Sequence, residues 1–258
     1  MNNWQLKNPL DAILFDCDGT LSRLEGIVAL ARQAGQEAYV AALTEKAMGS
    51  QGLDRNLYRQ RLDCVRPNQQ QVEELGQWYI DQLSEDVFAT VQALQAAGKK
   101  IYVLSAGLLP SVLALAKYLN IPAAQVFAVP IKFNSAGEYE NFDEDSPLCN
   151  PFGKAEIAQQ IKKQYPRIAL VGDGQNDFQA AQAVERFIGY GGNFFRQNLM
   201  NACEFYIRSK SLSPVLSLCL TVEEIALLPT ANQEICIQAQ QLLIDGQVKT
   251  SLKYQKII

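Results

Sequence analysis

The chain has no histidine among its 258 residues. That absence excludes Ser-His-Asp and Cys-His catalysis, histidine-ligated zinc and histidine proton shuttles. Acid–base work near neutral pH then falls to carboxylates, Lys, Tyr or Cys. Cysteine is sparse: six residues, at positions 17, 64, 149, 203, 219 and 236, with no C-x-x-C pair. Their spacing fits neither a disulfide framework nor a zinc site, so free thiols in a cytoplasmic protein are expected. No secretory apolar segment stands near Met1, and no apolar run is long enough to span a bilayer. Lys/Arg clusters are lacking too and the net charge is −4, so neither nucleic acid nor a membrane is expected as a partner.

What is there is the composition of a soluble globular protein, 48% apolar and 19% charged. The length suits one sizeable core with an inserted subdomain. The stretch Ala12–Leu21 stands out. Ile13, Leu14 and Phe15 read as a buried strand that ends at Asp16, Cys17, Asp18, Gly19 and Thr20. In parallel α/β sheets, ligands sit beyond the carboxyl ends of strands. Two acids brought that close repel each other, and a divalent cation relieves the repulsion.

From Ser22 to about Ser84 the pattern is helical, with Leu24, Ile27, Val28 and Ala31 on one apolar face. Further helices are expected over 38–48, 53–65 and 68–83. A helical block placed directly after the strand reads as a cap over a site. Ser84 is expected to cap the next helix, with Glu85 and Asp86 in its first turn and Gly98 at its end. A second strand, 101–104, ends at Ser105, Ala106 and Gly107. A helix begins near Pro110, and residues 126–133 and 138–142 read as a β-hairpin. Lys154 lies at a helix start. A third strand, 168–171, ends in Gly172-Asp173-Gly174-Gln175-Asn176-Asp177, and short strands follow at 187–188 and 205–207.

This alternation predicts an α/β fold: a doubly wound, Rossmann-like parallel sheet with helices on both faces. Residues 1–21 and 85–212 form the core, 22–84 a small helical cap, and 213–258 a C-terminal helical extension packed on or next to the core. Within the extension, Thr221-x-x-Glu224 is a capping-box pattern, and a last helix over 233–244 stops at Gly246.

A doubly wound sheet brings Asp16/Asp18, Ser105, Asp173/Asp177 and Lys154 to one edge. Asp16, Asp173 and a backbone carbonyl of Asp18 are hard oxygen ligands suited to Mg²⁺. Thr20, Ser105 and backbone N–H groups can hold phosphate oxygens, while Lys154 neutralises them. One carboxylate can attack phosphorus, and the other can protonate the leaving oxygen and then deprotonate water.

On these residues the chain resembles the haloacid-dehalogenase superfamily of phosphohydrolases. The match is Asp-x-Asp-Gly-Thr at 16–20, Ser105, Lys154 and Gly-Asp-Gly-x-Asn-Asp at 172–177. The resemblance implies Asp16 as nucleophile and Asp18 as general acid/base. Ser105 and Lys154 would bind phosphate. Asp173 would be a metal ligand, with Asp177 on the metal or its water. The full expected metal set is Asp16, Asp18, Asp173 and Asp177. Thr20, Ala106, Gly107 and Asn176 complete the expected substrate-binding set.

The likeness extends to the phosphoserine phosphatase family, through Glu25-Gly26-Ile27, Leu43-Thr44-x-x-Ala47-Met48-Gly49, 133–142 and the run from Phe187 to Asn193. It implies that Glu25 and Arg61 hold the amino and carboxylate groups of phosphoserine. An acid reads an ammonium, and a guanidinium grips a carboxylate in two places. There are departures. Asp54 falls where the family has phenylalanine, Ala106 where it has glycine, and Glu85-Asp86 where it has Pro-Gly. The expected activity is Mg²⁺-dependent hydrolysis of O-phosphoserine. The alternatives are another small phosphomonoester, phosphoryl transfer to an alcohol such as homoserine, and a non-catalytic phosphate-binding module. Sequence alone leaves the oligomeric state open.

Overall fold

The computed structural model describes residues 4–48 and 53–251; Gly49 of the cap motif lies outside the described residues. In chain order, β1 (Ala12–Phe15) is followed by α1 (Gly26–Gln33), α2 (Glu37–Met48), α3 (Arg55–Val65) and α4 (Gln69–Asp81). Next come α5 (Val87–Ala96), β2 (Lys100–Leu108), α6 (Leu109–Tyr118), β3 (Val126–Val129), β4 (Ile131–Phe133) and β5 (Tyr139–Phe142). Then follow α7 (Gly153–Lys162), β6 (Ile168–Gly172), α8 (Gln175–Gln179), β7 (Arg186–Tyr190), α9 (Gln197–Ala202) and β8 (Phe205–Ile207). The segment ends with α10 (Pro214–Cys219), α11 (Val222–Leu227), α12 (Thr230–Ile244) and β9 (Val248–Thr250).

Seven strands form one sheet in the order β3-β2-β1-β6-β7-β8-β9. All pairs are parallel except β8–β9. Every residue of β1 and β6 is buried, as strands covered on both faces must be. The chain winds outward from β1 through β2 and β3 on one side, and through β6, β7 and β8 on the other. The crevice at that reversal is where doubly wound sheets bind ligands. Register aims the site: Phe15 stands beside Val103 of β2 and Val171 of β6. Asp16 therefore emerges next to the ends of both neighbours.

The four helices α1–α4 each bury one stripe. On α3 it is Tyr58, Arg61, Leu62 and Val65; on α4 it is Val72, Leu75, Gly76 and Tyr79. Asp54 starts α3 by accepting the Leu57 amide at 2.8 Å, and Asn68 starts α4 in a reciprocal capping box with Gln71. α4 is locked onto α6. The Ser111 hydroxyl donates to the Val72 carbonyl at 2.6 Å, and a Cβ on Gly76 would come within 2.7 Å of the Ala114 Cβ.

Several expectations differ from the structure in instructive ways. Residues 126–133 do not form one arm of a hairpin. β3 joins the large sheet beside β2, and only β4 and β5 pair as a ribbon. Pro130 divides the run, having no N–H to continue a ladder. Ser84 does not cap α5. Asp86 occupies that position with φ +63° and no side-chain cap, because the Ser84 hydroxyl is drawn inward to the Thr20 carbonyl at 2.6 Å. β2 does not stop at Leu104 but continues to Leu108, with a register irregularity after Leu104. The last segment holds a strand, β9, as well as helices.

That last segment is tied to the sheet. All six residues of α10 are buried. Buried Lys99 donates to the Leu10 carbonyl at 2.6 Å and pairs with Glu224, whose carboxylate also closes the capping box with Thr221. Among the described residues, no helix is long and apolar enough to cross a membrane.

Candidate active site

β1 delivers Asp16 to the crevice, and the turn Cys17–Thr20 follows at once. Gly19 sits at φ +72°, and a Cβ there would lie 2.7 Å from the Asp173 carboxylate. Only glycine meets both conditions. The Asn193 amide holds this turn by donating to the Gly19 carbonyl at 3.0 Å and to the Ser84 hydroxyl at 2.6 Å.

Lys154, at the start of α7, is the buried hub of the centre. Its ammonium contacts Asp16 Oδ1 and Asp177 Oδ1, each at 2.6 Å. Burial works against its charge, but the two carboxylates overcome this and hold its pKa above the ordinary lysine value. Burial, and next the Asp177 charge, pushes Asp16 well above the usual carboxylate range despite Lys154. Burial likewise raises Asp173 to about 7, against the pull of Arg196. Arg196 reaches Asp173 twice, with Nε on its carbonyl at 3.0 Å and Nη2 on Oδ2 at 3.4 Å.

Asp16, Asp173 and Asp177 each offer a buried carboxylate oxygen, all within 4.8 Å of one another. Asp173 Oδ1 is buried without a partner. Three clustered acids, one with an orphaned oxygen, are a donor set that fits a hard divalent cation. The Asp18 side chain, expected among the ligands, is not part of this cluster. Its Oδ1 accepts the Gly26 amide and the Tyr79 hydroxyl, each at 2.7 Å, and its Oδ2 accepts the Ser105 hydroxyl at 3.3 Å.

Beyond the acids lies a cavity of about 70 Å³ between the sheet edge and α1–α4. Asp16, Asp18, Glu25, Arg61, Lys154 and Asp177 give it polar walls, and Ile27, Leu30, Leu53, Leu62, Leu75 and Leu108 give it apolar ones. Ala106, Gly107, Asn176 and Met48 also line it. Thr20 and Ser105 are fully buried and do not line it; Ser105 reaches it through its bond to Asp18. Ser105 Oγ accepts the Gly107 amide at 2.8 Å, and Asn176 Oδ1 accepts the Leu53 amide at 3.1 Å, joining α8 to the entry of α3. Asp54 is exposed and does not line the cavity. Leu53 faces it in its place, so the departure at Asp54 leaves the pocket wall apolar.

Among the described residues, eight buried side-chain polar atoms lack a hydrogen-bond partner. Four belong to this centre: Thr20 Oγ1, Glu25 Oε1, Arg61 Nε and Asp173 Oδ1. Buried polar groups are nearly always paired, so an orphaned cluster marks where ligand atoms belong. Burial raises the Glu25 pKa, helped by the Asp18 charge, and burial lowers that of Arg61. Arg61 keeps one protein bond, to Thr44 Oγ1 at 3.4 Å, and lies over the Tyr58 ring, 5.7 Å from its centroid. The arrangement can hold a divalent cation beside the buried Asp16 carboxylate, and it presents one acid, Glu25, and one base, Arg61, to the cavity.

Tyr79 and Arg196 were not singled out from the sequence, and Asn193 entered only as the end of the matching run from Phe187. Tyr79 carried a usable signal, since a tyrosine on the buried stripe of α4 needs a partner for its hydroxyl.

Residues 10–185 match the family model for haloacid dehalogenase-like hydrolases. The chain is 35% identical over 199 residues to the phosphoserine phosphatase of Bos taurus, covering 76% of this chain and 88% of that one. It is 35% identical over 198 residues to the phosphoserine phosphatase of Drosophila melanogaster, covering 76% and 73%. Its fold is like that of a phosphoserine phosphohydrolase-like protein from Francisella tularensis. There the TM-score is 0.71 at 24% identity, over 78% of this chain and 96% of that one. The chain belongs to the haloacid dehalogenase-like hydrolases and, within them, to the phosphoserine phosphatase family.

Proposed function

We propose that this hydrolase converts O-phospho-L-serine to L-serine and inorganic phosphate in the cytoplasm, with Mg²⁺ as its metal and an aspartyl-phosphate on Asp16 as its intermediate. The observation that carries the substrate is the pair Glu25 and Arg61. Both line one apolar cavity, and each keeps a buried atom without a partner. An ammonium against Glu25 and a carboxylate against Arg61 would satisfy both. Family membership supports the same reading.

In this reading Asp16 attacks phosphorus while Asp18 protonates the seryl oxygen. Water then attacks the acyl phosphate, and Asp18 takes its proton. Lys154 steadies Asp16 and adds positive charge beside the phosphoryl group. Thr20 Oγ1 and the Ala106 amide are donors for its oxygens, Ser105 joins them by turning its hydroxyl from Asp18, and the Gly107 amide holds Ser105 Oγ in place. Asn176 holds the cavity wall at Leu53. Asp16, Asp173 and Asp177 would hold the metal, which supplies charge neutralisation at the transferring group. Residues 22–84 act as a cap that excludes bulk water.

The test is phosphate release from a panel of small phosphomonoesters. O-phosphoserine should be the best substrate, with turnover abolished by Asp16→Asn and by chelation and restored by Mg²⁺. Full activity in Asp16→Asn, or a clear preference for a substrate lacking either the amine or the carboxylate, would overturn the reading.

A further inference from the structure

The two oxygens of Asp18 are not equivalent. Oδ1 receives two short donors, the Gly26 amide and the Tyr79 hydroxyl, both at 2.7 Å. Oδ2 receives only the longer contact from Ser105 Oγ at 3.3 Å. Tyr79 comes from α4, 61 residues along the chain, so this contact is a product of tertiary packing rather than of the local turn. Space around the phenol is cut to fit. A Cβ on Gly26 would lie 2.1 Å from the Tyr79 oxygen, and one on Gly107 would lie 3.2 Å from it. The phenol is buried, and burial together with the Asp18 charge pushes its pKa well above the tyrosine norm, which keeps it a donor.

A carboxylate oxygen has two in-plane lone pairs, and two donors fill them. A proton bound for the substrate must then ride on the other oxygen. We propose that Tyr79 is a positioning residue for Asp18: with the Gly26 amide it occupies Oδ1 and presents Oδ2 as the oxygen that delivers and recovers the proton. The proposal rests on the reading of Asp18 as general acid/base. In the first step the Asp16–phosphorus bond forms as the bond from phosphorus to the seryl oxygen breaks, and the Oδ2 proton passes to that oxygen. In the second, water attacks phosphorus, the Asp16–phosphorus bond breaks, and the water proton returns to Oδ2.

The experiment compares two substrates in Tyr79→Phe, which keeps the ring and removes one hydroxyl. O-phosphoserine leaves as an alcohol and needs the proton, whereas acetyl phosphate leaves as acetate and does not. The ratio of their kcat/KM values does not depend on the folded fraction of the preparation. Since general acid catalysis is worth about 10²–10⁴-fold, kcat/KM for O-phosphoserine should fall about 10–100-fold and that for acetyl phosphate by less than about threefold. An unchanged ratio overturns the proposal. Asp18→Asn separates the premise from the proposal. If it lowers both substrates alike, the acid role itself fails. If it is selective while Tyr79→Phe is not, only the role of Tyr79 fails.

Discussion

Arg196 holds Asp173 at two points, the carbonyl at 3.0 Å and Oδ2 at 3.4 Å, and leaves Oδ1 as the unpartnered oxygen. The arginine thus decides which carboxylate oxygen is offered to a metal. Removing an outer partner of this kind typically costs about 10–100-fold in metal affinity or activity. Arg196→Ala should therefore raise the Mg²⁺ concentration for half-maximal activity by about that factor. A Mg²⁺ titration of steady-state rate reads it directly, and an unchanged midpoint would mean that Asp173 is held by its burial alone.

Metal binding should also depend on pH. Asp173 is raised to about 7 by burial. A carboxyl whose folded pKa lies above its unfolded value stabilises the metal-free protein fully at low pH. That contribution is lost as pH rises from the ordinary carboxylate range through about 7. A metal ligand must be deprotonated, so cation binding releases this proton below that point. The rise in melting temperature caused by Mg²⁺ should thus be larger at about pH 8 than at about pH 6. Equal shifts at both would show Asp173 already ionised at the lower pH.

Lys154 neutralises two buried carboxylates at once. Lys154→Met would leave them uncompensated, a loss of about 3–5 kcal/mol by the usual cost of breaking a buried pair. Urea unfolding with chelator present should show that loss near pH 8 and a smaller one near pH 5, where Asp16, whose pKa burial raises, takes up a proton. A loss equal at both would trace to packing instead of charge.

Arg61 is buried, and its Nε has no protein partner. Truncating one side of a buried charge pair costs about 2–5 kcal/mol. Arg61→Ala should weaken kcat/KM for O-phosphoserine by about that much and leave O-phosphoethanolamine, which lacks the carboxylate, nearly unaffected. Equal losses on both would remove Arg61 from substrate recognition.

The parts of this centre that were legible in the sequence are those built by short spans of chain. Asp16, Asp18, Gly19 and Thr20 follow one strand, and Asp173 to Asp177 follow another, so strand-end logic finds them. Lys154 needed only a helix start. Tyr79 and Arg196 were missed because their partners lie far off in the chain: whether a tyrosine on α4 meets Asp18 depends on how α4 turns against α6. The hairpin exists, but its first arm is shorter than its apolar run suggests, for a related reason. Apolar content alone does not say which sheet a strand joins, and the decisive residue, Pro130, is a single break. β9 escaped because a three-residue edge strand, Val248–Thr250, is too short to show a period.

The lock between α4 and α6 at Gly76 and Ser111 has one more consequence. α4 carries the tyrosine that bonds Asp18, while α2 and α3 carry Met48, Tyr58 and Arg61, which line the cavity. Transplanting residues 37–65 from a relative with a different preference should redirect the enzyme to a new substrate with its proton chemistry undisturbed, whereas transplants that include α4 should not be exchangeable without also re-cutting the α6 surface.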